Sequence, residues 1–165
     1  MCKAGEGREL IPFDEPGNIP TLDVDELFYL RIRNESSKTV NITVLVIQPD
    51  WSIVQLHPSG SGYEILERGQ EKPLRFNTSL PEGYTEGDDI FKVFATVTGT
   101  SFDWLQLPAL NKQGLLVGRK ASNPLEELFA AIANDDSSKK NVTRAVFASD
   151  EWTTEQVKLV VKESL

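Results

Sequence analysis

Apolar and polar side chains alternate with a period of two along most of this chain, and the period changes once, late in the sequence. In LFYLRIRN, Phe28, Leu30 and Ile32 fall on one side and Tyr29, Arg31 and Arg33 on the other. That pattern predicts a strand with one buried and one wet face. NESSK (34–38) supplies turn residues. VNITVLVIQ (40–48) is then nearly all β-branched, and apolar on both faces from Val44 onward, as a central strand covered on both sides requires. QPDW follows as a tight turn with Pro49 and Asp50 at its central positions. SIVQLHP (52–58) returns as the second arm of a hairpin, with His57 as its last residue.

YEILERG, KPLRFNTS (72–79) and IFKVFATV (90–97) predict three more strands, with PEGYTEGDD as a long polar loop before the last. SFDWLQLPAL predicts another short strand. TEQVKLVVKE closes the chain as a strand with Val157, Leu159 and Val161 on one face. The period of 3.6 enters only at NPLEELFAAIA. There Asn123 can cap, Pro124 opens the first turn and Glu126 sits three residues after the cap. Leu125, Leu128, Phe129 and Ile132 then form one apolar stripe, predicting an amphipathic helix over about 124–134 that docks on the sheets. Residues 1–22, rich in Gly, Pro and charge, read as a linker or irregular lead-in to a single domain over 23–165. The expected class is mainly β: an antiparallel β-sandwich, immunoglobulin-like or jelly-roll-like, of about 7–9 strands with one helix near the C-terminus.

Composition narrows the partners. Hydrophobic residues make up 39% and charged residues 25% of 165, the balance of an ordinary globular domain with a real core. Seventeen basic against 25 acidic groups give a formal charge of −8. That argues against nucleic acid, whose phosphates need a Lys/Arg stripe, and against anionic membranes. No apolar run approaches the roughly 18 residues of a membrane-spanning helix. The start, MCKAGEGREL, lacks the apolar centre of a secretory signal, and the lone Cys2 has no internal disulfide partner. A cytoplasmic location is the expectation. Asn34, Asn41, Asn77 and Asn141 each begin an Asn-x-Ser/Thr triplet, read here as turn chemistry.

Few residues could make or break bonds. His57 is the only histidine, and Cys2 lies in the lead-in with nothing around it to favour a thiolate. PSGSGYE has the glycines of a phosphate loop without its Gly-Lys-Ser/Thr ending. Ser59 and Ser61 lack a recognisable nucleophile elbow. No catalytic residue and no cofactor is expected. Two acidic groups, Asp23, Asp25 and Glu26, then Glu82, Glu86, Asp88 and Asp89, could in principle offer oxygens to Ca²⁺, without the spacing of a calcium loop. The aromatics of the turns, above all Trp51, Tyr84 and Trp104, are candidate contact residues for a protein or a sugar.

Four phrases appear in a telling order: LFYLRIRNESSKTVNITVLVIQPDWSIVQLHPSGSGYEILERGQ, LPEGYTEGDDIFKVFATVTGTSFDWLQLPAL, NPLEELFAAIA and EWTTEQVKLVV. Together they resemble the non-peptidase domain that follows the protease domain in many bacterial caspase-like (metacaspase or orthocaspase) proteins. The resemblance implies an accessory domain that binds its own peptidase domain or another protein and so regulates or targets proteolysis. It carries no catalytic residue, since nothing here matches the Gln-Ala-Cys-x-Gly stretch of that peptidase. The alternative is a small-ligand module for carbohydrate or calcium.

Overall fold

The computed structural model describes residues 1–5, 9–14, 17, 19–60, 62–109 and 151–164. Among them ten strands form: β1 (Cys2–Ala4), β2 (Leu10–Pro12), β3 (Thr21–Asp23), β4 (Leu27–Arg33), β5 (Val40–Ile47), β6 (Ile53–His57), β7 (Glu64–Leu66), β8 (Glu71–Asn77), β9 (Glu86–Thr96) and β10 (Trp152–Lys162). The protein is mainly β. The amphipathic helix expected over 124–134 lies outside the described residues.

The strands make two sheets. One has four antiparallel strands in the order β2-β1-β4-β8. The other runs β3-β10-β9-β5-β6, with β7 also on β5, and is antiparallel except where β3 joins β10. β5 serves two partners on one edge: residues 40–42 pair with β7 and 44–47 with β6, with a register shift between Val44 and Leu45. That explains the apolar run Val44–Ile47, where the strand is hydrogen-bonded on both edges and most of its side chains on both faces are buried.

The inward faces of both sheets share one core. Phe28, Leu30 and Leu74 of the four-stranded sheet pack with Val44, Val46, Phe91, Leu159 and Val161 of the six-stranded one. Phe28 meets Phe91 edge-on at 5.4 Å and Phe76 at 5.7 Å. The outer face of the larger sheet has its own cover. Phe102 stacks on Phe94 at 4.3 Å, with Leu45 buried beside them.

Three expectations need correction. Residues 1–22 are not simply a linker: β1 and β2 extend the smaller sheet, and Met1, Cys2 and Phe13 are buried. A Gly/Pro-rich composition hides single apolar side chains that close a core edge. The loop expected at 81–89 ends early, because β9 begins at Glu86. The described part of that stretch, SFDWLQLPA (101–109), makes a 3-10 turn over Asp103–Leu105 and a single bridge from Leu107 to Ile53 in place of a strand.

Candidate functional site

The β5–β6 turn builds the most exposed aromatic group. The Trp51 amide donates to the Gln48 carbonyl at 2.9 Å, and the Gln48 amide donates to the Ser52 carbonyl at 3.0 Å. The Asp50 carboxylate accepts the Ser52 amide at 3.0 Å. Closing this turn holds Trp51 at φ 64°, a left-handed conformation that costs a bulky L-residue about 1–2 kcal/mol and usually goes to Gly or Asn. Its indole is 65% exposed.

Tyr84 lies in the β8–β9 connection, where its amide donates to the Pro81 carbonyl at 3.2 Å and its side chain is partly exposed. The two turns share one end of the fold. A Cβ added at Gly87, at the start of β9, would overlap Pro49 of the Trp51 turn and touch Leu80 of the Tyr84 loop. Trp104 is half-buried in the 3-10 turn. Its segment runs beside β6, where Leu107 bridges Ile53 and the Gln106 side chain accepts the Gln55 amide at 3.3 Å. So Trp51 and Tyr84 lie on adjoining turns, and Trp104 flanks the neighbouring strand.

His57 ends β6, as its position before Pro58 suggests. Its Nε2 lies 2.5 Å from Glu64 Oε2, at ion-pair distance without hydrogen-bond alignment. The other Glu64 oxygen accepts Lys72 Nζ. The Lys72 hydrogen bond, against an opposing burial cost and with attraction to His57, holds the Glu64 carboxyl below its ordinary range. Since β7 belongs to one sheet and β8 to the other, this carboxylate ties the layers together. An imidazole beside a carboxylate is two of the three members of a hydrolytic triad. Here that carboxylate is shared with a lysine; the neighbouring Ser59 gains no described contact with the ring, and Ser61 lies outside the described residues.

The acidic groups do not converge. Glu26 accepts the Asp23 amide at 2.7 Å, and Asp23 faces Lys162 at 4.0 Å. Asp88 and Asp89 point to opposite faces of β9: Asp88 reaches Lys158 at 2.7 Å, while Asp89 is buried inward. Among the described residues no three His, Cys, Asp or Glu side chains are grouped as a metal ion would require. A recess of about 210 Å³ lined by Arg33, Asn34, Glu35, Ser36, Arg68 and Gly69 is below the roughly 300 Å³ at which ligand pockets begin. Among the described residues no helix is long and apolar enough to cross a membrane.

Two features escaped the sequence. The Glu64 bridge depends on which strands face each other across the layers, which no local pattern records. Asp89 was legible in principle, because it shares parity with Phe91 and Val93 once β9 is known to start at Glu86. Comparison with models of protein families, with curated proteins and with solved structures yields no match to this chain.

Proposed function

We propose that the chain is a non-catalytic interaction domain, a β-sandwich of immunoglobulin-like or jelly-roll-like kind. Its protein partner is contacted through Trp51 and Tyr84, with Trp104 on the flank. Trp51 carries the reading. A large indole exposed at 65% and kept at φ 64° is unfavourable for folding twice over, and strain of that kind persists where a surface is used. Trp and Tyr are also the residues most often dominant in interface energetics.

The partner is a caspase-like peptidase, the domain's own or one in trans, whose activity it regulates or targets. Support for the partner comes from the four ordered sequence phrases; the arrangement at His57, where the carboxylate is committed to Lys72, supports the non-catalytic reading. A single cysteine, free and buried, supports placing the domain in the cytoplasm.

The test adds this domain in trans to a bacterial caspase-like peptidase domain, measuring affinity by calorimetry and peptidase turnover. The expected result is saturable binding that weakens at least about thirtyfold in the Trp51→Ala/Tyr84→Ala double variant, the mark of hot-spot residues. Binding unchanged in the double variant would refute the surface. Neither binding nor altered turnover would refute the accessory role.

A further inference from the structure

The described interior holds one carboxyl group with no cation to meet it. Asp89 is 7% exposed, and its Oδ1 has no hydrogen-bond partner. It lies on the inward face of β9, two residues before Phe91, whose ring packs on Phe28 and Phe76 of the facing sheet. From β10 the residue directly opposite is Leu159, fully buried. Lys158, next along β10, points to the other face and engages Asp88. From the β5–β6 turn comes Asp50, held in place by its bond to the Ser52 amide. The pairing of Ile47 with Ile90 puts Asp89 beside the point where β5 enters that turn. Gly87, two residues earlier, packs against Pro49 of the same turn.

We propose that Asp89 is a proton-operated latch on the Trp51 turn: protonated, it lets the turn seat against the start of β9, and ionised, it sets a buried negative charge against Asp50 and loosens it. Burial, then the charges of Asp50 and Asp88, push the Asp89 carboxyl up to about 6. An acid raised in the folded state holds its proton more tightly folded than unfolded. The stability it contributes is therefore full below its ordinary value of 3.8 and declines as pH rises through about 6. If the opened turn returns Asp89 to water, the open population grows about tenfold between pH 5 and pH 8. A neutral, buried acid meets apolar neighbours at little cost, whereas the ionised form must be hydrated, paired or released. The latch is a property of this domain alone, so it stands or falls independently of any partner that Trp51 meets.

The test is hydrogen exchange by NMR on the intact chain, following the Trp51 and Gln48 amides that close the turn, with intrinsic exchange rates divided out. Protection of both should fall about tenfold from pH 5 to pH 8 in the wild type, stay level in Asp89→Asn and fall less steeply in Asp50→Asn. Parallel profiles in the wild type and Asp89→Asn would overturn the proposal. If Asp89→Asn does not fold, a ¹³C titration of the wild-type Asp89 carboxyl decides. A midpoint near that of an ordinary aspartate overturns the latch, and a clearly raised one together with the shallower Asp50→Asn profile supports it.

Discussion

Replacing Glu64 with Gln tests whether the single histidine belongs to a structural tie or to a reactive centre. The substitution keeps shape and removes one charge that serves two neighbours, Lys72 on β8 and His57 on β6. Side-chain exposures of 17% for His57, 34% for Glu64 and 30% for Lys72 set the scale. Exposed ion pairs contribute about 0–1 kcal/mol, and breaking a buried one by removing a partner costs about 3–5 kcal/mol. A group one-third exposed is substantially screened, so a loss of about 1–2 kcal/mol at pH 7 is the expectation. The sign with pH follows from Glu64 being held below its ordinary 4.5. An acid depressed in the folded state contributes stability above that ordinary value, and the contribution disappears as pH falls through its lower, folded value. Urea unfolding followed by circular dichroism should therefore show Glu64→Gln less stable than wild type at pH 7, with the gap closing toward pH 3 and narrowing in about 1 M salt. An equal gap at both pH values would show that the loss is one of shape, and the electrostatic tie would be refuted.

Phe28→Ala removes the ring at the centre of the aromatic trio and should cost about 4 kcal/mol. It would be read as a fall of roughly 2 M in the urea midpoint; a loss below about 1.5 kcal/mol would mean that the layers do not meet there. Asn34→Ala strips a buried side chain whose amide nitrogen donates to the Lys38 and Leu66 carbonyls at 2.8 and 3.0 Å while its oxygen accepts the Ser36 amide. About 2 kcal/mol of thermal or chemical stability should be lost, and an Asn34→Asp protein, which cannot donate, should recover little of it. Trp51→Asn, which suits the left-handed backbone, should raise stability by about 0.5–1 kcal/mol while weakening partner binding. A stability decrease would show that the indole packs as structure.

How much of this was legible depends on whether the information is local. The hairpin from Val40 to His57 was, because β-branched runs and a Pro-Asp turn dictate pairing between neighbours in sequence, and the observed Val46–Val54 and Ile47–Ile53 pairs follow. The inward set Val157, Leu159 and Val161 was legible for the same reason: period two survives wherever one face is buried. What failed was the frame. β9 starts at Glu86, inside a run of Gly, Asp and Glu that discourages a strand on propensity, because its long partner β10 supplies the pairing all the way from Thr96 to Glu86. Tertiary pairing thus carried an aspartate into the interior, where composition would leave it in a loop. The same override pulled Cys2 and Leu10 into a sheet through backbone bonds that need no favourable side chain. The candidate contact surface sits between these cases. Exposure of Trp51 was readable from its place in a turn, but the left-handed backbone that makes its retention informative exists only once Gln48 and Ser52 close that turn. A cost visible in the backbone therefore marks Trp51 as a contact residue, and swapping the indole for a residue that relieves that cost separates contact from packing.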